Sequence, residues 1–151
     1  MTAFPEPQPG LVISYAYLWS DEAERGLVEG RKDRPCAIVV AIEHPEKAGR
    51  RQVAVAPITH TPPHDPTVGI EIPARVKEHL GLDGERSWIV LDEFNVFTWP
   101  GFDLRPIKDR DGRVDYGFLP PKLFASLIEK IERLKEDGKV EQTSRDDSAE
   151  S

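Results

Sequence analysis

The chain has 151 residues, of which 38% are hydrophobic, and this is enough for one ordinary domain with its own core. Its longest apolar run, residues 35–42, falls far short of the roughly 18 residues of a transmembrane helix. The first ten residues also lack the basic and apolar regions of a secretory signal, so we expect a cytoplasmic protein without a membrane span. The single cysteine, Cys36, excludes an intrachain disulfide and a cysteine-based zinc cluster.

The net charge of −7 is unevenly distributed along the chain. Residues 25–51 hold seven basic and four acidic groups, a net +3, whereas residues 136–151 hold six acidic and two basic groups, a net −4. The overall acidity argues against a general nucleic-acid coat protein. The basic segment still allows a local binding patch for an anionic partner.

Short apolar runs and fourteen prolines predict a mainly β protein, because proline interrupts both helices and central strands. Residues 1–9 are expected to form a disordered lead-in. Strands are expected at residues 11–18, 35–42, 53–58, 68–72 and 88–91, with weaker candidates at 94–97 and 104–107. Residues 35–42 are continuously apolar, so both faces of this strand should be buried. A short helix is expected at residues 75–80.

The end of the chain carries the clearest helical signal. Apolar residues recur at helical spacing from Leu123 to Leu134, after two prolines that suit a helix start and before Gly138, which ends it. Residues 137–151 have no apolar stripe and should form a disordered acidic tail, and removal of residues 138–151 should leave the fold intact. A single domain over residues 10–136 is therefore predicted, either a small, partly closed β-barrel or an α+β fold.

The usual motifs of nucleotide hydrolysis, hydride transfer and zinc proteolysis do not occur in the sequence. His60 and His64 are four residues apart, but the two prolines between them exclude a helical pair. These histidines could bind a metal ion together with Asp65, or they could simply belong to a polar surface loop.

Arg34 immediately precedes the strand predicted at 35–42, and this position makes it the leading candidate for a functional residue. Its guanidinium could anchor the end of the strand through Asp33 or Asp92. It could equally present a planar set of donors to a phosphate group. Thr59 ends another predicted strand next to a loop, where a hydroxyl often caps a turn.

Five segments in this order resemble the PemK/MazF-like growth-inhibitor toxins of bacterial toxin–antitoxin systems. They are PGLVI at residues 9–13, GRKDRPCAIVVAI at 30–42, VAVAPIT at 53–59, SWIVLDEF at 87–94 and YGFLPPKLFASLIEKI at 116–131. The resemblance implies a small SH3-like β-barrel with a C-terminal helix, as in the PemK/MazF/CcdB toxin fold, usually as a homodimer. It also implies cleavage of single-stranded RNA without metal or cofactor, neutralised by a cognate antitoxin.

The resemblance implies that Arg34 and Thr59 are the catalytic pair, with a contribution from Asp92. In RNA, the 2′-OH can attack the adjacent phosphate, and an arginine suits the charge that develops, because it stays protonated. Thr59 would orient the phosphate, while Asp92 or His60 could be the general base. The predicted RNA-binding residues are Arg25, Arg31, Lys32, Arg50 and Arg51.

Two features keep a non-catalytic alternative open. Many relatives have Asp-Gln or Glu-Gln where this chain has Asp92-Glu93, and the segment at 94–107 departs from the family pattern. The alternative is a barrel of the same fold that binds a protein, either as an interaction module or as a toxin like the gyrase poisons.

Overall fold

The computed structural model describes residues 4–27 and 32–146. Its elements confirm the prediction of a mainly β protein with a C-terminal helix. In chain order they are β1 (Leu11–Tyr15), α1 (Ser20–Glu24), β2 (Arg34–Glu43), β3 (Arg51–Thr59), a 3₁₀ turn (Pro66–Val68), β4 (Gly69–Glu71), α2 (Ala74–Leu80), β5 (Trp88–Val90), β6 (Glu93–Thr98), β7 (Asp115–Phe118), α3 (Pro121–Glu136) and β8 (Glu141–Ser144).

The strands form one sheet in the order β4-β5-β3-β2-β1-β7, and all of these pairs are antiparallel. Strand β3 has a further partner: its first half pairs with β6, whereas its last two residues, Ile58 and Thr59, pair with β5. Strand β8 then adds to β6 in parallel. Over the described residues the strand order stays open between β4 and β7, so a closed barrel remains a prediction.

Two hydrophobic clusters lie on the two faces of the central strands. Neighbouring residues point to opposite faces of a strand, so that Val12 joins one cluster and Ile13 the other. Helix α3 contributes Leu127 and Ile131 to the first cluster, which confirms that its apolar stripe packs on the sheet. The second cluster contains the aromatic side chains of Tyr15, Tyr17, Phe97 and Trp99.

Burial of β2 is less extensive than predicted. Residues from Cys36 to Val39 are buried, but Val40 and Ile42 are 43% and 48% exposed. The reason is that β1 begins at Leu11 and its ladder with β2 reaches only Ala37, so the far end of β2 extends beyond its neighbour.

The prediction of a disordered tail over residues 137–151 is wrong for residues 141–146. Backbone bonds join Glu141 to the Asp92 carbonyl and Arg145 to the Val96 carbonyl, both at 2.9 Å. Arg145 as a whole residue is only 3% exposed. This segment is held by main-chain pairing and polar anchors, neither of which requires the apolar periodicity that sequence reasoning looked for. Residues 147–151 lie outside the described part of the chain.

Three further local differences concern short elements. Helix α1 forms between the strands predicted at 11–18 and 35–42, and β7 forms where no strand was expected. The weak candidate at 104–107 forms only an isolated bridge between Tyr15 and Leu104. Of the predicted lead-in, residues 4–9 adopt neither helix nor strand, and residues 1–3 are not described. None of the helices in the described ranges combines the length and the apolar character needed to cross a membrane.

Candidate active site

A cleft of about 1170 Å³ opens where β2 begins and β3 ends. All four predicted catalytic residues, Arg34, Thr59, His60 and Asp92, contribute to its lining. They come from the first residue of β2, the end of β3 and the turn between β5 and β6. They meet because β3 pairs with β2 along one edge and with both β5 and β6 along the other.

Arg34 and Thr59 lie side by side on adjacent strands. The ladder pairs Cys36 with Pro57, and the same register continued by two residues places Arg34 opposite Thr59. Directly opposed residues have Cβ atoms about 5 Å apart and share one face of the sheet. Thr59 Oγ1 accepts a bond of 3.2 Å from the Thr61 amide, which leaves its own proton available for donation into the cleft.

The guanidinium of Arg34 is not neutralised by a carboxylate within the described residues. It lies 5.0 Å from the centroid of the Trp19 ring, and its Nη1 donates a long bond of 3.4 Å to the Ile58 carbonyl. The predicted anchors are not used: Asp33 instead lies 3.7 Å from Arg105. The Arg34 Nε is buried with no acceptor among the described residues, and leaving a buried donor unpaired costs about 1–3 kcal/mol. An anionic ligand could recover that free energy.

Two adjacent carboxyl groups face the same cleft. Partial burial raises the pKa of Asp92, with a smaller contribution from the neighbouring carboxylate of Glu141. Burial also raises the pKa of Glu93, although its oxygens accept bonds from the Tyr17 hydroxyl at 3.0 Å and from the backbone amide and hydroxyl of Ser20. Sequence analysis missed Glu93 as a functional candidate. Its place beside Asp92 was the only signal, and its partners lie more than 70 residues away.

His60 is held by residues that the sequence did not single out. Its Nε2 lies 2.8 Å from Asp83 Oδ2 and 3.7 Å from Glu85 Oε2. The buried Lys77 in turn donates to the other Asp83 oxygen at 2.6 Å, to the Ser87 hydroxyl at 2.7 Å and to the Glu85 carbonyl. A network therefore fixes one side of the His60 ring.

The predicted metal trio of His60, His64 and Asp65 is not assembled as a ligand set. Asp65 Oδ1 accepts from the amide and the hydroxyl of Thr67, which caps the 3₁₀ turn. In the described ranges, the ligand-type atoms that do converge are those of His60 with Asp83 and Glu85. The Lys77 ammonium already forms an ion pair with one oxygen of Asp83, and its positive charge disfavours binding of a metal ion at the same carboxylate.

The predicted RNA-binding residues do not share one groove. Lys32 lines the cleft, whereas Arg25 is exposed at the end of α1. Arg50 and Arg51 lie at the far end of the β2–β3 hairpin, and Arg51 is eight residues along β3 from Thr59, or roughly 26 Å. Arg31 lies outside the described residues.

Charged side chains of both signs line the cleft. The basic ones are Lys32, Arg34, Lys77 and Lys139, and the acidic ones are Asp33, Asp65, Asp83, Asp92 and Glu93. With four of one sign and five of the other, the cleft has no broad positive field. A phosphate would be held by local donors, above all by Arg34. Trp19 also lines the cleft and offers a stacking surface for a base.

No protein-family model matches the chain, and a search of curated proteins finds no significant match. The fold and site thus define a mainly β protein with a polar cleft at one end of its sheet, and membership of the PemK/MazF-like toxins stays a prediction.

Proposed function

We propose that this chain is an endoribonuclease of the toxin–antitoxin type that cleaves single-stranded RNA without a metal ion. The observation that carries the proposal is the Arg34 guanidinium, which faces the cleft without a carboxylate partner among the described residues and keeps a buried Nε without an acceptor. A guanidinium of this kind suits a phosphate, since its planar donors match two phosphate oxygens.

In the proposed reaction the 2′-oxygen forms a bond to phosphorus, and the bond from phosphorus to the 5′-oxygen of the next nucleotide breaks. Arg34 stabilises the additional negative charge, and Thr59 orients the phosphate by a hydrogen bond from its hydroxyl to a phosphate oxygen. The proton of the 2′-OH passes to a base in the cleft, and the leaving 5′-oxygen takes up a proton from solvent water, so the products end in a 2′,3′-cyclic phosphate and a 5′-hydroxyl. Trp19, beside Arg34, supports a neighbouring base by stacking, which suits single-stranded RNA.

The same proposal also covers the type of β-barrel, the oligomeric state and the protein that neutralises the activity. The open sheet of the described residues would belong to an SH3-like barrel, completed in a homodimer in which basic segments of two copies approach one RNA. A cognate antitoxin would cover the cleft. The exposed ends of β2 and its hairpin leave surface for a second copy.

A second candidate is a non-catalytic, protein-binding module of the same fold. The five carboxylates of the cleft favour it, because they oppose a polyanion and suit a basic partner segment.

Cleavage of a fluorescent mixed-sequence single-stranded RNA in excess EDTA tests the proposal. Arg34→Ala should lower the rate by at least about 10²-fold, as expected for loss of a charge-stabilising donor. Arg34→Lys should recover only part of it, and Thr59→Val should also impair cleavage because it keeps the shape and removes the hydroxyl. Arg133→Ala is the matched control, since this arginine is 70% exposed on α3.

Three results would contradict the proposal. The first is undiminished cleavage by a folded Arg34→Ala variant, and the second is activity that disappears with EDTA and returns with a divalent metal. The third is RNA binding or protein binding without cleavage by the wild-type chain, which would favour the second candidate. Melting temperatures of the same preparations identify variants that lose activity merely by unfolding.

A further inference from the structure

Hydrogen bonds link His60 to residues outside the proposed catalytic pair of Arg34 and Thr59. Lys77 is buried and donates to Asp83 Oδ1, while Asp83 Oδ2 faces His60 Nε2 at 2.8 Å. His60 directly follows Thr59 and lines the same cleft. His60 stands in the bend that follows the last residue of β3, where the Thr61 amide bonds to the Thr59 hydroxyl.

The position of the hydrogen between Asp83 and His60 follows from the other hydrogen bonds that Asp83 accepts. Burial acts to raise the pKa of Asp83, but bonds from Lys77, from the Glu85 amide and from His60 outweigh it and lower the pKa. An ionised carboxylate only accepts hydrogen bonds, so the His60 Nε2 must carry the hydrogen between them. In the neutral imidazole the lone pair then lies on Nδ1.

We propose that His60 is the general base of the cleft, acting through Nδ1, and that Asp83 is the positioning residue that fixes its tautomer and ring orientation. This inference rests on the proposed function. The proton of the attacking 2′-OH passes to Nδ1 as the 2′-oxygen bonds to phosphorus. The carboxylate of Asp83, held by Lys77, stabilises the imidazolium that results and keeps its own charge.

Four variants test the assignment in the same RNA assay. His60→Ala should lower the cleavage rate by at least about 10²-fold, the usual contribution of a general base. Asp83→Asn should lower it by roughly 10- to 100-fold, less than the ~10⁴ of a buried Asp–His pair in a serine protease, because both side chains here are about half exposed. The asparagine oxygen can still accept from Lys77, so the amide nitrogen faces Nε2 and favours the wrong tautomer.

Glu129→Gln is the matched control, because it makes the same chemical change on the exposed surface of α3, where Glu129 pairs with Arg133. Its rate should stay within about threefold of the wild-type rate. Asp92→Asn tests the competing base. Free imidazole should restore part of the activity of His60→Ala and none of that of Arg34→Ala, a rescue that a purely structural histidine would not allow.

The outcomes separate this inference from the proposed function. A wild-type chain that leaves RNA intact overturns both. Wild-type cleavage that persists in His60→Ala, or that is lost only in Asp92→Asn, overturns the base assignment alone. Nitrogen chemical shifts of the His60 ring provide a test that needs no RNA: the neutral ring should be protonated at Nε2 in the wild type and lose that preference in Asp83→Asn. Protonation at Nδ1 in the wild type would refute the dyad.

Discussion

Arg145 should anchor the C-terminal strand, and its replacement by methionine should be among the most destabilising single changes in the chain. Its guanidinium donates to the Ala16 carbonyl at 2.7 Å, to Asn95 Oδ1 at 3.2 Å and to Asp103 Oδ1 at 2.9 Å. The side chain is 2% exposed and that of Asp103 is 15% exposed. Methionine keeps most of the volume but leaves the Asp103 charge without this cation.

The magnitude follows from that burial. Breaking a buried ion pair by removing one partner costs about 3–5 kcal/mol. For a domain of this size 1 kcal/mol corresponds to about 2–4 °C, so the melting temperature should fall by roughly 6–20 °C. Urea denaturation with a tryptophan fluorescence readout measures the free energy of unfolding directly.

Arg133→Met is the matched control, because Arg133 pairs with Glu129 at 2.7 Å on the exposed surface of α3. Exposed pairs contribute about 0–1 kcal/mol, so this variant should remain close to wild type. A loss below about 1 kcal/mol in Arg145→Met, or equal losses in the two variants, would refute the reasoning and restore the prediction of a dispensable tail.

Two other predictions concern pH and association. Burial raises the pKa of Glu93, so the stability linked to this group is fully present below the ordinary glutamate pKa of about 4.3 and declines as pH rises through the raised value. Glu93→Gln should remove that decline, and its free energy of unfolding relative to wild type should therefore increase with pH; parallel pH curves of the two proteins would contradict this. The proposed homodimer should sediment at micromolar concentration with twice the 17.0 kDa mass of the chain, and a single species at 17.0 kDa would exclude it.

The catalytic candidates were recognisable one at a time, but their convergence was not. Arg34 could be singled out as a charged residue at the start of a buried strand, and Thr59 as a hydroxyl at the end of another. Arg34 and Thr59 lie opposite each other because of the register between β2 and β3. Asp92 reaches the same cleft only because β3 changes partners along its length. Register depends on the hydrophobic pattern of both strands together with the geometry of the turn between them, so a pattern read along one strand does not specify it.

The contacts that position His60 and the chain end were beyond sequence reasoning for a different reason. Asp83 lies 23 residues from His60, and the partners of Arg145 lie 129, 50 and 42 residues away. Polar side chains carry no periodic signal, so the sequence near residues 141–146 looks like any solvated tail. Only the assembled sheet supplies the carbonyls and carboxylates that bind it.

By itself, the sequence determined the β character of the chain and the C-terminal helix with its ends, and it offered the candidate residues that the structure places in the cleft. These depend on local periodicity, proline placement and the chemistry of single side chains, which neighbouring residues already specify. The tertiary structure alone decided that Arg50 and Arg51 lie far from the cleft, that His60 is held by Asp83, and that the final strand is anchored. Each of these depends on contacts between residues distant in the chain, which exist only once the strands have paired and packed against the two hydrophobic clusters.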